Sequence, residues 1–321
     1  MDISVIIPTY NRAETLAETL NALEAQETDS RFEIIVVDDG STDGTAELSA
    51  SFQSNSRHPF SYYYQPNRKQ GAARNLGARF ADGSWLIFLG DDIVPAPDFV
   101  KQHLGRQREL LSDGDPESAP VVIGYTSWPP EWKKTRFLEF IGEKGWQFGF
   151  SLIEDSNDVP FNFFYTSNLS MSRRLFLRSG GFDEDFTVYG WEDIELSLRL
   201  KEMGIRIVFN PRARAFHYHP TNLESFAERQ HQVGLSACCL LEKHPEMGEF
   251  LGVNRMPRQT IRRRLQMGLL FQACRLTENR QWPDLSRYYP DLLSYWYIRG
   301  IVEGFNEKSS EFYRRELNRE R

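Results

Sequence analysis

The chain has 321 residues, 40% hydrophobic and 13% aromatic, enough for one large core or for a core domain with an extension. Its formal net charge of -7 argues against a general nucleic-acid binder, which needs a basic face, but leaves room for a mononucleotide site. Cys238, Cys239 and Cys274 have neither a disulfide nor a metal-ligand spacing, no basic-then-apolar leader precedes Ile3, and no apolar run approaches the roughly 18 to 20 residues that span a bilayer, so a cytoplasmic protein is expected.

Val5-Ile6-Ile7 reads as a buried strand closed by Pro8. Asn11 followed by Glu14 is a capping-box signature, and Leu16, Leu20 and Leu23 recur at helical spacing. Strand, sharp loop and helix open a nucleotide-binding α/β unit, with the loop Pro8 to Arg12 at the carboxyl edge of its strand. There Tyr10 can stack on a base while Thr9 and Arg12 reach polar edges or a phosphate; Tyr10 can equally pack on the next element. Ile34 to Val37 is a second buried strand ending in Asp38 and Asp39, before a turn and cap cluster at Gly40 to Asp43. A carboxylate at that point can accept the imide N–H of uracil or the N1–H of guanine, or cap the next helix. With two acids both are expected, Asp38 structural and Asp39 on the base. Tyr62 to Tyr64 reads as a third strand. Gly71 to Gly77 starts a helix with Ala72, Leu76 and Phe80 on one face. Arg74 then lies on the other face near the positive helix end, for an anion or a surface ion pair.

Trp85 to Leu89 is wholly apolar, the pattern of a strand buried on both faces of a parallel sheet. Asp91 and Asp92 follow Gly90, and Pro95 and Pro97 are expected to stop further ladder pairing. Ligands of open parallel sheets collect beyond the carboxyl ends of strands, and two adjacent acids are costly without a nearby cation. The pair therefore either holds a divalent metal carrying a diphosphate or forms a solvated loop before a helix starting near Asp98. Val121 to Gly124 is a further strand, and residues 136–164 are dense in aromatics without a clean period, a partly mobile wall over the site. Glu192 and Asp193 begin an amphipathic helix, where a carboxylate stays ionised: a place for a general base, or simply two capping acids. Ile205 to Phe209 is an edge-like strand, and the extended stretch Ala213 to Pro220 puts His217 and His219 on one face, as structural histidines or metal ligands. From Thr221 the chain turns helical, with Arg255, Arg258, Arg262, Arg263 and Arg264 ahead of Leu265 to Phe271. Such a basic amphipathic helix can lie on an anionic membrane, but a helical cap on the core or on a second subunit is favoured.

Taken in order, Val5 to Arg12 (VIIPTYNR), Val36 to Asp43 (VVDDGSTD), Gly71 to Gly77, Asp91-Asp92, Gly180 to Glu184 and Trp191-Glu192-Asp193 form a specific set. On these motifs the chain resembles family 2 glycosyltransferases of the GT-A fold over residues 3–220. The resemblance implies an α/β fold with a Rossmann-like, mostly parallel sheet flanked by helices, as a GT-A domain at 1–220 (nucleotide half 1–92, acceptor and catalytic half 93–220) and a helical extension at 221–321. It implies Thr9, Tyr10 and Asp39 on the nucleotide, Asp92 on a metal, Asp91 near ribose or sugar, and Asp193 as the base of an inverting transfer. A later histidine would complete the metal site, and the spacing suits His217 better than His219. Pro8, Arg12 and Arg74 join the expected donor-binding set, with Asn168, Trp191 and Glu192 on the acceptor side. Oxygen ligands alone suit Mg2+; an added imidazole tilts the preference to Mn2+. The family often carries an acid where this chain has Gly90.

The expected activity is transfer from a nucleotide-sugar, UDP-linked on family frequency, to a glycan or a lipid- or protein-linked sugar in surface polysaccharide assembly. The C-terminal helices would serve peripheral contact with the inner face of a membrane or self-association. A sugar nucleotidyltransferase would need a glycine-rich basic loop after the first strand, and a dinucleotide-binding dehydrogenase a G-x-G-x-x-G there; neither is present. A non-catalytic binding or scaffold protein of the same fold is the remaining alternative, favoured by Gly90 alone.

Overall fold

The apolar runs of the N-terminal third become parallel strands in the computed structural model, which describes residues 1–111, 114–253, 256, 260–278 and 283–319. In chain order these are β1 (Ile3–Thr9), α1 (Ala13–Glu24), β2 (Phe32–Asp38), α2 (Thr45–Asn55), β3 (Phe60–Tyr64), α3 (Lys69–Phe80) and β4 (Trp85–Leu89). Every residue of β1, β2 and β4 is buried. Their side chains alternate between two cores: Ile6, Ile35, Val37 and Phe88 enter one, and Val5, Ile7, Ile34, Val36 and Ile87 the other. A strand covered on both faces needs such an unbroken apolar run.

The second half adds β5 (Ile93–Pro95), α4 (Phe99–Leu111), β6 (Val121–Ser127), α5 (Arg136–Glu143), β7 (Asn168–Ser172), α6 (Arg173–Arg178), α7 (Glu192–Glu202) and β8 (Ile207–His217). The eight strands form one sheet in the order β3-β2-β1-β4-β7-β6-β8-β5. Pairings β1 with β2, β1 with β4, β2 with β3 and β6 with β8 are parallel, whereas β7 runs antiparallel to both β4 and β6, and β5 antiparallel to β8. The chain divides into two compact units: residues 1–132, 142–184 and 192–219 carry the sheet, and residues 133–141, 185–191 and 220–321 the C-terminal helices.

Local expectations needed correction at four places. Pro95 does not end pairing; it lies opposite Ala215 in an edge strand, where its missing N–H is tolerated. The extended stretches around 205–220 are one strand, whose irregularity is absorbed by a register shift at Gly124/Tyr125. No capping box forms at α1: Arg12 takes the N-cap without a side-chain bond, and Asn11, at φ 52°, instead accepts the Thr42 N–H at 2.7 Å. The buried face of α3 is Gly71, Ala72, Ala73, Arg74, Gly77 and Ala78, while Phe80 is half-exposed and stacks on Tyr63 at 4.4 Å. Small residues win that face because α3 lies close on the sheet; a Cβ at Gly77 would sit 2.6 Å from Ile6.

In the second unit α8 (Leu223–Lys243), opened by a capping box of Asn222 and Ser225, packs on α10 (Tyr289–Arg319). Gly234 and Gly300 allow this contact, since a Cβ on either would strike the other helix's backbone. Phe137 packs edge-on against Phe226 and Tyr289. Helix α9 (Ile261–Thr277) completes the unit; Arg255 and Arg258 lie outside the described residues. Among the described residues no helix is long and apolar enough to cross a membrane.

Candidate active site

The pairing of β5 with β8 creates the first cluster. Ile93 lies opposite His217, and the Tyr218 N–H donates to the Asp92 carbonyl at 2.7 Å. That register sets His217 Nε2 3.3 Å from Asp92 Oδ2, with His219 Nδ1 at 4.0 Å. From the end of β1, the Thr9 hydroxyl donates to Asp91 at 2.9 Å, and Arg12 Nη1 bridges Asp91 at 3.1 Å and Asp92 at 2.6 Å. Both acids are buried. Burial and the charge of Asp92 push the Asp91 carboxyl up, against Arg12 and Thr9. Burial acts on Asp92 too, but His217 and Arg12 outweigh it and hold that carboxyl well below the usual range. Neighbouring carboxylates are thus driven apart in proton affinity, a common property of catalytic pairs. The His217 ring stacks on Trp128, centroids 5.5 Å apart, which fixes the plane it presents to Asp92.

A second acid pair ends β2. Asp38 is structural, accepting the Ser41 N–H and the Tyr62 hydroxyl, both at 2.7 Å. Asp39 accepts from Gln65 Nε2 at 2.7 Å and from the Arg68 and Lys69 N–H groups at 2.8 Å, so its carboxylate holds the start of α3. Asp39 therefore has helix-anchoring work beside any contact with a base.

Helix α3 then links this edge to α7. Arg74, 5% exposed, donates to Glu192 at 3.2 Å, lies over the Phe182 ring at 5.4 Å, and leaves its Nε without a partner among the described residues. Gln70 Nε2 also donates to Glu192. Of the two readings of Arg74, the surface ion pair is corrected: the pair it makes, with Glu192, is buried. Beside Glu192, Asp193 caps its own helix through the Ile194 N–H at 2.8 Å. Lost solvation and the adjacent Glu192 push the Asp193 carboxyl up to about 7, against the opposing pull of Arg74. Asn75, which the sequence did not single out, clasps the Gly180–Glu184 motif by exchanging two 2.8 Å bonds with the Phe182 backbone. A Cβ at Gly181, φ 72°, would meet Asn75 Oδ1 at 2.5 Å, so the glycine of that motif was the available signal.

Pro8 is buried within β1, and Tyr10 beyond it is half-exposed. Asn168 is 1% exposed: its Oδ1 accepts from His103 Nε2 at 2.8 Å and its amide nitrogen donates to the carbonyls of Tyr125 and Ala213, so its amide is spent inside the sheet. Trp191, at φ 69°, belongs to the helical unit, where its indole N–H donates to the Val233 carbonyl at 2.8 Å. At Gly90 a Cβ would sit 2.8 Å from the Ile93 side chain and 3.1 Å from Asp92 Oδ1, so a side chain there would have to displace both.

Comparisons with known proteins fit this architecture. The pattern of glycosyl transferase family 2 matches residues 4–176, and that of the N-terminal domain of galactosyltransferase matches residues 154–221. The chain is 32% identical over 276 residues to validoxylamine A glucosyltransferase of Streptomyces hygroscopicus subsp. jinggangensis, covering 76% of this chain and 61% of that protein. It is 29% identical to the chondroitin synthase of Escherichia coli, over 76% of this chain but 38% of the synthase. The chain thus spans less than two thirds of the length of either relative. Among solved structures, the Pyrobaculum calidifontis mannosyltransferase PcManGT with GDP-Man and Mn2+ superposes with a TM-score of 0.60 at 18% identity, covering 95% of this chain and 87% of that one. S. aureus TarS 1-349 with UDP gives 0.55 at 17% identity, with 96% and 92% covered. The chain belongs to glycosyl transferase family 2 and has its GT-A fold.

Proposed function

We propose that the chain is an inverting glycosyltransferase that moves a sugar from a nucleoside diphosphate donor, a UDP-sugar first, to a hydroxyl of a glycan or of a lipid- or protein-linked acceptor. The convergence of Asp91, Asp92, Arg12 and His217 at one sheet edge carries this reading. Relatives solved with UDP and with GDP-Man and Mn2+ support a nucleotide-linked donor.

Asp92 and His217 offer an oxygen and an imidazole nitrogen to a divalent cation. Two donor atoms 3.3 Å apart suit one ion bound at roughly 2.1 Å from each. Among the described residues no group of three or more His, Cys, Asp or Glu is arranged to hold a metal alone. An ion held by Asp92 and His217, completed by donor phosphates, fits both facts and favours Mn2+ over Mg2+ because one ligand is an imidazole. When bound, such an ion offsets the charge that develops on the leaving diphosphate. Arg12 supplies positive charge to the same carboxylates and is placed to share them.

The acceptor oxygen attacks the anomeric carbon opposite the diphosphate; the new C–O bond forms as the old one breaks, and the electron pair leaves on the phosphate oxygen. The acceptor proton passes to Asp193. Its raised proton affinity suits a base, because the hydroxyl becomes acidic only as the bond forms. The neighbouring Glu192 is already engaged by Arg74 and Gln70. Inversion follows from the single displacement, and the diphosphate needs no second acid.

Titration of UDP and GDP, each with and without Mn2+, against wild type, Asp92→Ala and His217→Ala tests the assignment. Wild type should bind one diphosphate at least about tenfold more tightly with metal, and each substitution should remove that gain. Equal affinity with and without metal would remove the metal site from the scheme.

A further inference from the structure

Helix α9 turns a second apolar face to solvent. Ile261, Leu265, Leu269 and Leu276 are 78, 66, 75 and 66% exposed, the four most exposed large hydrophobic side chains among the described residues. At about 100° per residue they fall in one sector of about 80°. The roughly opposite side, Met267, Phe271 and Cys274, is buried in the helical unit. Single exposed leucines are ordinary, but four aligned on one helix form a patch that marks an interaction surface. Arg262 flanks the stripe on one side and Arg264 and Arg275 on the other; Arg275 also pairs with Glu224 at 3.0 Å. The helix holds four arginines and no acid, in a chain whose formal charge is -7.

We propose that α9 docks on an anionic lipid surface, with the Ile261–Leu276 stripe in the interfacial layer and Arg262 and Arg264 on lipid phosphates. The charge pattern selects this occupant. Two copies of α9 packed along their stripes would set arginine against arginine with no acid on either helix, and such like-charge juxtaposition is repulsive. A layer of anionic headgroups meets each arginine with its complement. Helix α9 is about 25 Å long at 1.5 Å per residue, so its stripe runs the length of the surface it offers. The surface is independent of the transferase chemistry.

Cosedimentation of the full chain with phosphatidylcholine vesicles, with and without phosphatidylglycerol, tests the surface. Wild type should bind the anionic vesicles at low salt and release from them at high salt. Leu265→Asp with Leu269→Asp should weaken binding at least about tenfold. Arg262→Glu with Arg264→Glu should weaken it at least about fivefold for each arginine and flatten the salt dependence. Both pairs are exposed, and unchanged circular dichroism would show that the variants fold. Equal binding to neutral and anionic vesicles, or full binding by the leucine variant, overturns the proposal. So does a lipid-free dimer in light scattering that the same leucine substitutions split, since the stripe would then face a second copy.

Discussion

Two buried polar clusters of the sheet unit make an instructive contrast. At the crossing of α4 with β7, His103 bonds Ser170 at 2.9 Å and Asn168 at 2.8 Å, and Gln107 donates to the Ser170 carbonyl at 2.9 Å. Every member is neutral: burial pulls the His103 imidazole down to about 4. Beyond β4, Asp91, Asp92 and His217 are also buried, but they meet the partly exposed guanidinium of Arg12, and the two carboxyls are driven apart in proton affinity. A neutral network spends its hydrogen bonds internally and pins three strands; a charged one keeps unspent attraction for a ligand. Burial of polar residues alone therefore does not mark a site; opposed charges gathered at a strand end are what support the proposed one.

Substitutions can break that contrast, and the largest effect is expected at Asp193, the proposed base. Asp193→Asn should lower turnover by about 10² to 10⁴ while donor affinity stays near normal. Wild-type activity should fall as pH drops through about 7 instead of through the ordinary carboxylate range, because the base must be ionised and its proton affinity is raised. A pH–rate profile flat down to pH 5 would deny Asp193 the role. Next, Arg74→Ala strands the buried Glu192 carboxylate and should destabilise the fold by about 3–5 kcal/mol in chemical denaturation. Arg74→Lys should restore part of this, since an ammonium keeps the charge but loses the planar fork. Smallest is Asn168→Ala, expected to cost about 1–3 kcal/mol of stability with the Michaelis constant for the donor unchanged. A selective loss of acceptor turnover in that variant would erase the distinction between the two clusters.

The sequence made much of the frame legible. Strands β1, β2 and β4 are buried on both faces, so they had to appear as apolar runs, and the acids that follow them had to stand at the carboxyl edge. Strand β7 was not legible, because Asn168, Ser170 and Ser172 alternate like an exposed edge until His103 and Gln107 arrive from α4 to satisfy two of them. Arg74 was misplaced for the same reason: a charged residue is assigned to the surface unless its partner is known, and Glu192 lies 118 residues away.

Local sequence determined which residue types end each strand, since hydrophobic periodicity and side-chain chemistry act over a few residues. Only the tertiary structure decided which of them meet. The register that sets Ile93 opposite His217 brings an imidazole to Asp92, and the close approach of α3 to the sheet buries Arg74 against Glu192. Both depend on backbone pairing and packing between distant segments, whose geometry no local pattern encodes.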